Sequence, residues 1–330
     1  MKLLRLHLEN FRGAPNGVFS FVHPSTGAPV DTVLITGPAS SGKTSLLEAI
    51  AALKESVGAW GTPPDAARLI RRGAATGIIE GTWLLSPTEV ERAEAKQATV
   101  VTRFALGVDA PMPDLDVGLR DLFSAYAHDP AHGKFEYFPS NRRLAPYAGD
   151  KPRDLPGEAR LRLGTSPAKY ASIKRALLDL ALRDGVKTLE ESASRGVLFR
   201  SDQRDSLLPY KRDLAGMLPH LRLLGVDLEG DTPELAFERD DGARLILDDL
   251  SDSEQQAVLF VATFQRIGLS RSIVLVDQPE LCLHADAQLG FVRAVEGLGV
   301  DNQLFFATGS LEITRTAAPH QLVRLGGPKT

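Results

Sequence analysis

Cysteine is nearly absent: Cys282 is the single thiol in 330 residues. One thiol excludes an internal disulfide and suits a reducing compartment. Basic charge is not in excess either. Lys and Arg total 38 against 42 Asp and Glu, a formal net charge of −4. No global positive field therefore draws the chain onto nucleic acid, although a local basic groove is left open. No apolar run approaches the length of a bilayer span. The opening stretch MKLLRLHLENFRG is charged every few residues and lacks the apolar core of a secretion signal. The expectation is a cytoplasmic chain without a membrane span. There is no internal repeat, no heptad run for a coiled-coil arm and no low-complexity tail. What is there is ordinary globular material, 43% hydrophobic and 24% charged, with enough chain for one or two cores.

Residues 3–8 alternate like a strand, and 33–36, VLIT, form a short apolar run of the buried-strand kind. The stretch TSLLEAIAALKESV has helical spacing and good helix formers. GIIEGTWLL and ATVVTRFALGV read as strands of an antiparallel sheet. Residues 111–165 are rich in Pro, Gly and charge and read mainly as loops. Segments 167–192 and 207–225 read as helices, and 235–250 as a hairpin turning at Asp241–Gly242. Beyond them, SDSEQQAVLFVATFQRIG is a helix, SIVLVD a buried strand, ADAQLGFVRAVEGLG a helix and QLFFATGS another buried strand. HQLVRL is a candidate last strand.

Between the strand at 33–36 and its helix lies Gly37-Pro-Ala-Ser40-Ser41-Gly42-Lys43-Thr44, which fits G-x-x-x-x-G-K-[ST] at every fixed position, with Ser45 next to it as a further binding candidate. Such a loop wraps phosphate in backbone N–H groups, and its glycines let the backbone turn closely. Lys43 is placed to reach the outer phosphates, and the Thr44 hydroxyl to ligate Mg²⁺. Asp277 ends an apolar strand, where a carboxylate can hold the same cation, directly or through water. The implied cofactors are ATP and Mg²⁺. Cys282 and His284, two apart with no second pair, do not make a zinc site.

Leu250-Ser251-Asp252-Ser253-Glu254-Gln255 opens a helix one strand ahead of Asp277. In this position it resembles the signature of the ABC-type ATPases. Leu250, Ser251 and Glu254 fit, while Asp252 and Ser253 replace two glycines. Ser251 with Glu254 three residues on is equally a capping box, so both readings stand. The N-terminal L-x-L-E-N-F-R-G at 6–13 resembles the opening of the RecF, SMC and OLD-like branch, and D-x-P-E-L-x-L-H at 277–284 resembles its standalone AAA-like members. Several of those serve in bacterial phage defence beside a separate effector. The likeness covers about residues 1–50 and 245–310. It implies an α/β P-loop fold with ABC-ATPase head architecture: a mixed sheet flanked by helices, an antiparallel β layer and a helical insert. It also implies a head-to-tail homodimer around two ATPs, with Ser251, Ser253 and Glu254 of one copy facing the phosphate loop of the other, and Arg12 near the nucleotide. The expected division is 1–110, an insert at 111–240, and 241–330.

Three departures bear on turnover. Gln278 stands where the family usually has the glutamate that polarises water, and a glutamine can orient water but not take its proton. Glu280 is either a substitute base or a surface carboxylate. Gly309 stands where the family's switch strand carries histidine. No convincing Q-loop glutamine is found; YFPSNRRL at 137–144, with Asn141, Arg142 and Arg143, is either a nucleotide-proximal loop or a solvated basic turn. The expectation is an ATPase with slow or impaired hydrolysis that regulates a partner protein or grips DNA, the alternative being a non-hydrolysing ATP-sensing scaffold. Few residues follow the switch strand, so no fused nuclease is expected.

Overall fold

The structure, a computed structural model, describes residues 1–108, 110, 116–144, 158–183, 205–227 and 232–326. An antiparallel sheet runs in the order β2-β1-β4-β5, built from β1 (Lys2–Glu9), β2 (Gly17–Ser20), β4 (Gly77–Leu84) and β5 (Thr99–Leu106). Beside it lies a five-stranded parallel sheet, order β12-β3-β11-β10-β6. Its strands are β3 (Thr32–Thr36), β6 (Phe135–Phe138), β10 (Ile273–Asp277), β11 (Gln303–Thr308) and β12 (Leu322–Arg324). A small antiparallel sheet joins β7 (Leu221–Asp227), β8 (Glu234–Arg239) and β9 (Arg244–Ile246).

The parallel strands are mostly apolar on both faces, as strands covered on both sides tend to be, with Glu136 of β6 and Gln303 of β11 among the buried polar exceptions. Side chains alternate across the sheet. Ile273 and Leu275 face one core together with the antiparallel sheet and α1 (Lys43–Val57). Val274 and Val276 face a second core. Among the elements bounding that core are the helix at 173–183, here α2; α3 (Leu208–Met217); α4 (Asp252–Ile267); α5 (Ala285–Glu296); and the small sheet. Phe138 stacks on Phe260 with ring centroids 4.2 Å apart, joining the edge strand β6 to α4.

The carboxyl ends of β3, β10 and β11 share one edge of the parallel sheet, the edge where open α/β sheets bind ligands. The phosphate loop, Asp277 and Gly309 all fall there.

Three segments differ from the sequence reading. The loop-rich 111–165 contains β6, whose four residues are all buried and pair parallel with β10. Four wholly buried residues show no alternation, so neither period marks them. In 207–225, the helix ends at Met217 and β7 follows. Pro219 cannot donate to a continuing helix, and LRLLGVD then pairs with β8. The hairpin does turn at Asp241–Gly242. The helix expected over 167–192 is a 3₁₀ turn at Pro167–Tyr170 followed by 173–183. Residues 184–192 lie outside the described residues.

Candidate nucleotide site

The loop after β3 is shaped by two glycines that no other residue could replace without displacement. Gly37 has φ +154°, and a Cβ there would lie 2.5 Å from the Leu325 carbonyl oxygen. Gly42 has φ +94°, and its Cβ would lie 2.9 Å from the Gly13 carbonyl oxygen. Gly42 also begins α1, which has no side-chain cap and no acidic residue in its first turn. By contrast α4 is capped by Ser251. The N–H groups at the start of α1 therefore stay directed at the cleft, with the positive end of the helix dipole behind them.

Gly13, the stretch Gly37 to Ser45, Asp277, Gln278, Glu280 and Gly309 line one cleft of about 560 Å³. That is the size of a small-molecule site. The Lys43 ammonium donates to the carbonyl oxygens of Gly37 and Pro38, both at 2.9 Å, and so is held over the loop. Thr44 Oγ1 donates to both Asp277 oxygens, at 3.1 and 3.0 Å. Ser140, on the turn after β6, also bonds the Asp277 side chain. Burial pushes the Asp277 carboxyl above the usual aspartate range, while the bonds from Thr44 and Ser140 and the Arg142 charge pull the other way. The Ser41 hydroxyl is buried with no hydrogen-bond partner among the described residues. Free N–H groups, an unpartnered hydroxyl, a fixed lysine and a hydroxyl–carboxylate pair fit a polyphosphate with a hard cation. Lys43 and the loop would hold the phosphates; Thr44 and Asp277 would hold Mg²⁺.

Gln278 follows with φ +50°, its N–H donating to the Ala307 carbonyl. A non-glycine residue in this region is a strained one, and such strain clusters at functional sites. Glu280 is engaged at both oxygens: Thr308 Oγ1 donates to one and the Gly309 N–H to the other, each at 2.8 Å. The carboxylate thus bridges the turn after β10 to the end of β11, at the spot where Gly309 offers no side chain.

The expected site residues do not all meet. The phosphate loop, Asp277, Gln278, Glu280 and Gly309 converge on the cleft. Ser251, Ser253 and Glu254 are not among its lining residues. They form the capping box: Ser251 Oγ donates to Glu254 Oε2 at 2.7 Å and lies 3.1 Å from Ser253 Oγ. Arg12, beside the lining residue Gly13, pairs with Glu48 at 2.6 Å. Of the basic turn, Arg142 is 2% exposed, so it is no solvated arginine. Nothing in the local sequence pattern marks Ser140. The contact depends on β6 running beside β10.

The fold and the cleft together define a P-loop α/β protein with the architecture of an ABC-type ATPase head. Among solved structures, the chain is similar to an SmcHead bound to the C-winged helix domain of ScpA. The identity is 13%, covering 98% of this chain and 97% of that one, with TM-score 0.56. It is also similar to an Smc head domain with an extended coiled coil, bound to the C-terminal domain of ScpA derived from Pyrococcus furiosus. Here the identity is 13%, covering 96% and 92%, with TM-score 0.52. No protein-family model and no curated protein matches the sequence. Among the described residues no helix is long and apolar enough to cross a membrane.

Proposed function

We propose that this chain is an ABC-type ATPase of the RecF/SMC/OLD-like branch that binds ATP with Mg²⁺ and pairs head to tail with a second copy around two nucleotides. The observation that carries the reading is the Thr44–Asp277 contact beneath an uncapped helix start and a complete phosphate loop. Bound Mg²⁺ would neutralise phosphate charge. Lys43 and the loop N–H groups hold the phosphate oxygens, Thr44 and Asp277 fix the cation, and Gln278 orients a water without accepting its proton.

Hydrolysis in this reading is slow, because Gln278 is not a base and both Glu280 oxygens are already engaged. ATP then acts as reversible glue, favouring the pair by its differential affinity. The output is regulation of a separate effector protein or grip on DNA, in a cytoplasmic repair or phage-defence setting. The described structures of similar heads are complexes with a partner domain, which supports a protein partner. In this reading residues 1–110 and 241–330 form the ATPase lobes, and 111–240, which also lends β6 to the central sheet, the partner-facing insert. The second reading, a non-hydrolysing ATP-sensing scaffold, is favoured by Gln278 and Gly309, where the Glu280 carboxylate is taken up by the Gly309 N–H.

Single-turnover hydrolysis of radiolabelled ATP, with light scattering on the same samples, tests this. Slow turnover with ATP-dependent pairing supports the ATPase reading. Binding and pairing with no turnover supports the scaffold. Turnover at a rate typical of an intact catalytic glutamate contradicts both.

A further inference from the structure

Arg142 lies behind the cleft and does not line it. Its guanidinium uses every arm. Nη1 donates to the Asp277 carbonyl oxygen at 2.6 Å and to the Pro139 carbonyl oxygen at 3.1 Å. Nη2 donates to the Gln278 carbonyl oxygen at 2.9 Å. Nε donates to Gln256 Oε1 at 2.7 Å, and Gln256 Nε2 returns a bond to the Arg142 carbonyl at 3.2 Å. The charged plane also sits 5.3 Å from the Phe260 ring centroid. Gln256 and Phe260 belong to α4, the helix that Ser251 and Glu254 cap.

These contacts answer two otherwise separate questions. Gln278 keeps φ +50° although it is not glycine, because its N–H is fixed by Ala307 and its carbonyl by Arg142. Asp277 keeps its carboxylate aimed at Thr44 because its own carbonyl is held from behind while Ser140 bonds its side chain. The turn 139–142 thus touches Asp277 on both sides. A planar fork with fixed donors suits three carbonyls and an amide; a lysine ammonium does not.

We propose that Arg142 is a positioning residue: it ties α4 to the Asp277–Gln278 turn, so that cation affinity at Asp277 depends on Gln256, which does not line the cleft. The inference rests on the Mg²⁺–ATP reading above. Groups that orient a metal-holding carboxylate commonly change metal affinity by about 10–100-fold when removed.

The test is ATP affinity of the full chain, measured by calorimetry across a Mg²⁺ titration, for wild type, R142K and Q256M, with thermal melts of each. R142K is expected to raise the half-saturating Mg²⁺ concentration by about 10–100-fold, and Q256M in the same direction by less. Affinity for ATP without Mg²⁺ should stay at the wild-type value in both. Should R142K fail to fold, Q256M carries the test. Wild-type Mg²⁺ dependence in the folded variants overturns the proposal. Equal loss with and without Mg²⁺ also overturns it, since that is the mark of general structural support. ATP binding by wild type checks the underlying reading separately: its absence brings down the nucleotide site itself.

Discussion

Gln278 and Asp277 are neighbours with opposite demands. Gln278 is exposed at the cleft and strained; Asp277 is 3% exposed and held by Thr44. A carboxylate in place of the Gln278 amide would supply the missing proton acceptor. Gln278→Glu should therefore raise the single-turnover rate by about 10²–10³-fold, read by radiolabelled phosphate release. Asp277 contributes to stability in the reverse sense from a paired surface carboxylate. Its pKa in the folded protein is raised by burial, so the native state binds a proton that the unfolded chain has already released. Stability on this account falls as pH rises from the ordinary aspartate range through the raised value, and it stays lower at neutral pH. Asp277→Asn should raise the melting temperature of the nucleotide-free protein at pH 7 and remove the further rise given by Mg²⁺ with ATP. A melt series with and without both ligands checks both signs.

The phosphate loop is legible because its chemistry is local: eight consecutive residues between an apolar strand and a helix specify it. Asp277 was legible for the same reason, as a charge ending a buried run. β6 was not, since FEYF in a Pro- and Gly-rich stretch has neither alternation nor length. With β6 unseen, Ser140 could not be placed at Asp277, nor Arg142 behind it. The strand β7 is hidden because Leu214, Met217, Leu218 and Leu221 keep a helical spacing that runs on past Pro219 into the strand. Ser251 was legible twice over, and the structure displays its capping role. Ser251→Ala should cost about 1 kcal/mol in urea denaturation. A larger element-scale cost is expected deeper in. Lys169 is buried against Glu136 at 2.9 Å, and with Arg162 it pins the segment before α2 to β6. Burial lowers the Lys169 pKa to about 8, with Glu136 pulling it back up. Lys169→Met leaves the Glu136 charge with only the 3.5 Å contact to Arg162 and should cost up to about 3–5 kcal/mol, read by the same denaturation.

For the molecule as a whole, the cleft presents the phosphate loop on one side, while the capped start of α4 lies outside it. A head-to-tail pair would bring the second copy's Ser251 to that loop, satisfying both readings of the residue at once. Ser251→Arg places a bulky charge on that face. It should abolish ATP-dependent pairing in light scattering while leaving the affinity of one copy for ATP unchanged. Pairing that survives the change would put the interface elsewhere. Every part of this account depends on the cleft taking ATP through Lys43. Loss of a hydrogen bond to a charged group, at about 1.5–3 kcal/mol, predicts roughly 10–100-fold weaker binding for Lys43→Ala. The decisive measurement is a calorimetric titration of ATP with Mg²⁺ into the wild-type chain and Lys43→Ala. Saturable binding to wild type that falls by that factor in the variant is the predicted result. No binding to wild type, or equal binding to both, would contradict the account.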